Sequence, residues 1–322
     1  MSIAAPGSSK PRRRPLGSAS AGLLLPAIVF LASPPPILGQ DRMDPALQTR
    51  LEARVEDFRG DVGVFVRHLG TGATAAIMAD SLFPTASMIK LPLLITLYDQ
   101  VDQGLLKMDE RLTYHDSLFY GDPDDDDIIN KMRPGETVTL SKLAFFMISI
   151  SDNTASLWIQ GLLGGANVNR WLADHGFQAT RVNSRVVGRE GNRELFGWGQ
   201  TSPREMAELL VMVREGRAVS PQASDDMYRT LTDSYYDDEA LSAIPPSVQA
   251  ASKQGAVSAS RSEVLLVNAP TGDYVLCVIT NNQEDRGWER ENEGFVLLRD
   301  VSRIVYEHFV QGANPTGSLS PL

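Results

Sequence analysis

Apolar residues recur at Leu47, Leu51, Val55 and Phe58, a spacing that turns one helical face inward and predicts a helix over 44–58. Residues 61–80 then take on strand character broken at Gly70-Thr71-Gly72, which reads as a β-hairpin. From 87 to about 214 the pattern is mostly helical, interrupted by turn clusters at 121–127, 164–165 and 188–200. Strands return only near the end, at about 250–256, 264–268 and 274–281, before a last helix over about 290–309. The simplest arrangement is an α/β chain of the α+β type. An antiparallel sheet built from both ends of the chain is flanked by the terminal helices, and an all-helical lobe is inserted in the middle. The sheet lobe takes 40–85 and 216–310 and the helical lobe 86–215. The Gly/Pro/Ser-rich segment 311–322 reads as a disordered tail.

The first 39 residues follow a different logic. Lys10, Arg12, Arg13 and Arg14 precede an apolar run of about 12 residues and then a small-residue stretch, the layout of a secretory signal peptide. The run is short of the roughly 20 residues a spanning helix needs, so an exported protein, periplasmic or secreted, is expected without stable membrane insertion. Removing this segment takes four basic residues and no acidic ones, so the formal charge moves from -10 to -14. That balance leaves no basic footprint for nucleic acid. Cys277 is the only cysteine, which excludes an intrachain disulfide, and its apolar neighbours mark it as a packing residue.

Three short motifs change the picture. Ser87-Met88-Ile89-Lys90 opens a helix, Ser151-Asp152-Asn153 follows an apolar helix, and Lys253-Gln254-Gly255 lies on a late strand. Each alone is an ordinary cap, turn or surface lysine; their order and secondary-structure context together make a constellation. Residues at i and i+3 share a helix face, so the Lys90 amine is placed to reach the Ser87 hydroxyl. A desolvated lysine loses its proton and acts as the base that a serine nucleophile needs. Ser151 supplies a second hydroxyl to carry a proton to the leaving nitrogen, and the Asn153 amide holds the substrate and Lys90. Gly255 lets a substrate backbone lie close, and the backbone N–H groups of Ser87 and Ala256 form the expected oxyanion hole. No cofactor is called for. His68, His115, His175 and His308 lack paired ligand spacing, and the Asp122 to Asp127 acidic run lacks the glycine and glutamate of an EF-hand, so it reads as a solvated loop with no metal.

In these motifs, in Gly104 to Leu112, in Thr154-Ala155 and in Thr201 to Ala207, the chain resembles the class A β-lactamases, within the penicillin-recognising serine enzymes, over about 44–309. The resemblance implies the β-lactamase/transpeptidase-like fold and, as substrates, small β-lactam or peptidoglycan-like amides, handled by a monomer. It makes Ser87 the acylated nucleophile, Lys90 its partner, Ser151 the proton relay and Lys253 the anchor for a substrate carboxylate, with Tyr120 at the rim. The family's Ω-loop, about 180–203 here, departs from the pattern. Anchoring on Thr180-Arg181 and Pro203 puts Val186 where the family keeps its deacylating glutamate, and Ser184 and Gly199 where it keeps an arginine–aspartate pair. A shift of one residue aligns Arg185 but leaves Val187 at the glutamate. Glu190 is then the nearest carboxylate and the expected general base, with Glu194 a weaker stand-in. Gln254 replaces a hydroxyl residue, and Arg261 resembles a carboxylate-binding arginine one residue out of register. A serine β-lactamase is the expected activity. A D-alanyl-D-alanine peptidase, or a binding domain that stays acylated, are the alternatives.

Overall fold

A computed structural model describes residues 41–121 and 127–311. The expected leader, most of the acidic run and the C-terminal tail lie outside the described residues. The chain begins with strand β1 (Arg42–Met43) and helix α1 (Pro45–Val55), followed by the hairpin β2 (Asp61–His68) and β3 (Ala73–Ile77). A short β4 (Phe83–Pro84) and a 3₁₀ turn (Ala86–Ile89) lead into α2 (Lys90–Asp102). The middle holds β5 (Arg111–Thr113), β6 (Thr137–Thr139), α3 (Leu140–Ser149), α4 (Asn153–Leu163) and α5 (Gly165–Asp174). It continues with β7 (Arg181–Val182), α6 (Glu190–Phe196), β8 (Gly199–Thr201), α7 (Pro203–Arg214) and α8 (Pro221–Leu231). Three long strands, β9 (Ala250–Val257), β10 (Ser260–Ala269) and β11 (Gly272–Asn281), precede the closing helix α9 (Glu293–Gln311).

The main sheet has six strands in the order β1-β3-β2-β11-β10-β9, so the N-terminal hairpin joins the C-terminal strands through β2 and β11. Its pairs are antiparallel except β1 with β3, which makes the sheet mixed rather than purely antiparallel. Alternation sorts the side chains. Val64, Val66, Leu265 and Leu276 join one core with α1 and α9, while Phe65, Val264, Leu266 and Cys277 join another with the helices of the opposite layer. With both faces covered, β10 and β11 are buried along nearly their whole length, with unbroken apolar runs over 264–267 and 274–279. Leu47, Leu51, Leu297, Leu298, Val301 and Val305 are fully buried between sheet and terminal helices. Each contributes roughly 1.5–3 kcal/mol of gross burial, against about 0–1 kcal/mol for an exposed ion pair such as Arg50–Glu307. Apolar contact therefore holds α1 and α9 in place.

Two expectations for the middle of the chain need correction. Strands are not confined to the ends: β5 and β6 pair, and β4, β8 and β7 form a three-stranded sheet. These strands are two or three residues long, too short to register as alternation. The 188–200 turn cluster also contains α6, whose glycines Gly191 and Gly197 mask it in the sequence. Helix α8, which the boundary at 216 assigns to the sheet lobe, packs on α2, α3 and α7 as well as on β9.

Candidate active site

The turn that carries Ser87 is shaped by its neighbours. Phe83 and Pro84 pair with Thr201 and Gln200, and the Thr85 N–H donates to the Gly199 carbonyl at 2.9 Å. Ala86 is then forced into the left-handed region, φ 44°, immediately before Ser87. Edge strand β9 lies against this turn so closely that a Cβ on Gly255 falls 2.6 Å from the Thr85 carbonyl oxygen and 2.8 Å from the Ser87 nitrogen. Only glycine fits. Ser87, Asn153 and Ala256 line both a cavity of about 450 Å³ and a neighbouring one of about 550 Å³.

The second motif is positioned by two carboxylates. Asp152 is the N-cap of α4 and accepts from Ala155 N at 2.7 Å and Ile129 N at 2.9 Å. Asp127 accepts from Asn153 N at 3.0 Å and Thr154 N at 3.0 Å, so the first turn of α4 rests on a carboxylate from another segment. Asp127 is buried, a correction to the solvated-loop reading; the other aspartates of that run, Asp122 and Asp124 to Asp126, lie outside the described residues. The capping pattern of Asp152 ahead of a helix was a usable signal in the sequence; the contact from Asp127 was not. Tyr120 is tied to the same helix, its carbonyl accepting from Asn130 Nδ2 at 2.7 Å and its N–H donating to Thr154 Oγ1 at 3.2 Å, and it lines the larger cavity.

These supports bring the two lysines onto one hydroxyl. Lys90 Nζ donates to Ser151 Oγ at 3.0 Å, to the Ser151 carbonyl at 2.5 Å and to Asn153 Oδ1 at 2.8 Å. Lys253 Nζ donates to Ser151 Oγ at 3.1 Å and to Gln254 Oε1 at 2.5 Å. Ser151, itself at φ 58°, accepts from both amines, which leaves its own proton to donate elsewhere. Both lysines are fully buried. Burial holds the Lys90 amine well below the usual lysine range, helped by Lys253 and opposed by Asp127 and Asp152. Burial also brings Lys253 down to about 7, against the pull of Glu239 and Glu263. The Lys90 Nζ contacts run to residues 151–153 rather than to Ser87 Oγ. Such hydrogen bonds tighten when substrate is bound.

Three expected site residues take other positions. Glu190 is exposed at the start of α6, its carboxylate accepting from Gly188 N at 3.1 Å, and it lines neither cavity. A hydrogen bond from its own backbone N–H, together with the one from Gly188, lowers its pKa rather than raising it. Glu190→Gln is expected to leave acylation and deacylation rates within about twofold of the parent, measured with a chromogenic cephalosporin. Arg261 does not face the cavity. Its guanidinium is sandwiched between the Trp288 and Phe295 rings at 4.4 and 4.6 Å and donates to the carbonyls of Ser260, Val257 and Gly287. It pins the 285–292 segment so that Trp288 and Phe295 wall the site. Gln254 lines the cavity, but its carbonyl oxygen is turned to Lys253.

The loop that departs from the family pattern is closed without an ion pair. Arg189 donates to Asn183 Oδ1 and Gln200 Oε1, both at 2.7 Å, and Asn192 Nδ2 donates to Gln200 Oε1 at 2.8 Å. Gln160 donates to the Ser184 carbonyl and accepts from Trp198 Nε1, both at 2.6 Å. Gly199 is required by contact: a Cβ there meets Ile89 Cδ1 at 2.6 Å and Thr85 Oγ1 at 2.8 Å. Val186 packs toward Gly165, and Val187 is 97% exposed. The loop's contribution to the cavity beside Ser87 is Leu195, Phe196 and Trp198, with the Trp198 ring 5.5 Å from Lys90 Nζ. No carboxylate of residues 181–200 lines either cavity. Among the described residues no group of three or more His, Cys, Asp or Glu is arranged to hold a metal, and no helix is long and apolar enough to cross a membrane.

Comparison with known proteins bears on the family and the fold. The model of the β-lactamase enzyme family matches residues 46–309. A β-lactamase of Rhodobacter capsulatus is 26% identical over 262 residues, 79% of this chain and 85% of that protein. Among solved structures, PBP-A superposes with a TM-score of 0.75 at 26% identity, covering 84% of this chain and 98% of its own. A leucine-to-glutamate mutant of PBP-A, an acyl-enzyme complex with penicillin-G, superposes at 0.74 and 26% identity, covering 84% and 99%.

Proposed function

The chain belongs to the β-lactamase enzyme family, and from that premise we propose that it is an exported serine hydrolase, class A-like, whose Ser87 is acylated by β-lactam amides. The convergence of Lys90 and Lys253 on Ser151 Oγ is the observation that carries this reading. Neutral Lys90 takes the Ser87 proton as Oγ bonds to the carbonyl carbon, and the developing oxyanion is met by the Ser87 and Ala256 N–H groups. The carbon–nitrogen bond then breaks, and the leaving nitrogen takes the proton of Ser151 Oγ, which is replenished through the lysines. Gln254, with its oxygen held by Lys253, has its amide N–H groups left to bind the ligand. Deacylation is slow in this reading, because the water beside the ester meets aromatic walls and no loop carboxylate.

The same feature supports a second reading, a peptidase acting on peptidoglycan-like amides, which needs no carboxylate from the loop. Intact-mass spectrometry after penicillin treatment tests both. A penicilloyl adduct on Ser87 that persists for minutes or longer is expected; an adduct cleared within seconds restores efficient hydrolysis, and no adduct removes β-lactams from consideration. Release of D-alanine from a cell-wall peptide then identifies the peptidase. Export predicts a mature chain starting near residue 40.

A further inference from the structure

Beyond Lys253 the cavity that contains Ser87 is walled by a buried acid that the acylation chemistry does not use. Glu239 is 8% exposed and lines this cavity, yet its Oε2 is buried with no hydrogen-bond partner. Its neighbour Glu263, fully buried on β10, is supplied with donors: Ala240 N at 2.7 Å, Leu241 N at 3.4 Å and Ser252 Oγ at 2.5 Å. Two buried carboxyls that repel one another do not both ionise, and the one with three donors keeps the charge. Glu239 is then the one of the pair that takes up a proton first as pH falls. A protonated carboxyl is a hydrogen-bond donor, and the residue lines the ligand space.

We propose that Glu239 recognises the carboxylate of the acylating ligand, donating a hydrogen bond beside Lys253 in the role that Arg261 gives up by stacking between Trp288 and Phe295. This rests on the acyl-enzyme reading and names the residue that selects anionic ligands for it. The surrounding charge favours an anion over a cation. Arg290 and, on α9, Arg299 line the cavity, Lys253 acts on Glu239 from β9, Arg261 and Glu263 act on it from β10, and Asp127 is committed to the first turn of α4. The adjoining Asp238 is exposed to solvent. Burial and Glu263 raise the Glu239 pKa, so the donor is present below the raised value and is lost, becoming a repelling anion, as pH rises through it.

Acylation by a penicillin and by its methyl ester, followed by intact mass over pH 5–9 in the parent, E239Q and E239A, decides the matter. E239A is expected to acylate with the penicillin about tenfold more slowly at pH 6 and with the ester at the parent rate. E239Q, which keeps an uncharged donor, is expected to match the parent at pH 6 and exceed it at pH 9. Equal losses on penicillin and ester show a structural role and overturn the proposal, as does faster penicillin acylation in both variants at every pH. E239Q alone decides through its pH profile if E239A does not fold. A parent that is acylated but indifferent to both substitutions sinks this inference and leaves the acyl-enzyme standing; a parent that is never acylated sinks both.

Discussion

Lys90→Ala is expected to slow acylation of Ser87 by about 10³-fold, within the 10²–10⁴ that a positioned base supplies, while the fold is retained. The alternative roles of Lys90 predict different outcomes. A lysine that only anchored Ser151 and Asn153 would be replaced in part by Lys253, which donates to the same hydroxyl at 3.1 Å. A base has no such substitute. The pH dependence follows from the signs of the two shifts. Lys90 must be neutral to accept the proton, so the acylation rate at saturation climbs as pH rises through its depressed pKa and then levels. Lys253 must be charged to attract a carboxylate, so KM for an anionic ligand increases as pH passes about 7. A saturating rate that falls with rising pH between 5 and 7 would exclude Lys90 as the base.

Gly255→Ala is expected to be nearly as damaging although it adds one methyl group. Its Cβ meets backbone atoms, the Thr85 oxygen at 2.6 Å and the Ser87 nitrogen at 2.8 Å, and neither can swing aside as a side-chain end would. Either β9 withdraws from the turn or the turn itself shifts. Overpacking of this kind costs about 1–3 kcal/mol of stability. The chemical cost is larger, because the displaced atoms include a donor of the expected oxyanion hole, and losing one such donor costs about 10²–10³ in rate. Stopped-flow acylation paired with thermal melting separates the two. Acylation within threefold of the parent would show that β9 and the nucleophile turn are not held in the geometry described.

The elements that the sequence made legible are those with long periodic stretches. Helices α1 and α9, the β2–β3 hairpin and strands β9 to β11 follow from apolar spacing, and the residues of the three motifs converge as their order implied. Short elements escaped because two or three residues carry no period. Arg261 shows a different limit. Its type and neighbourhood matched a ligand-binding arginine, but Trp288 and Phe295, distant in sequence, claim its guanidinium. Glu190 was nearest in a linear register, whereas α6 turns it to solvent and the inner positions go to Phe196 at the helix end and Trp198 just after it. Glu239 and Glu263 went unnoticed altogether: 24 positions apart in the chain, they have no motif, and only folding makes neighbours of them.

The clasp across residues 183–200 has a consequence for the conditions this enzyme tolerates. Arg189, Asn183, Asn192, Gln160 and Gln200 hold it through guanidinium and carboxamide groups, none of which titrates between mild acid and mild alkali. A strap fastened by a carboxylate would loosen on acidification, and one fastened by opposite charges would slacken in brine. Within 183–200 the clasp keeps its grip in both, so acid reaches this wall only at its foot, where the Glu205 carboxylate gathers the N–H groups of Gln178, Ala179 and Thr180.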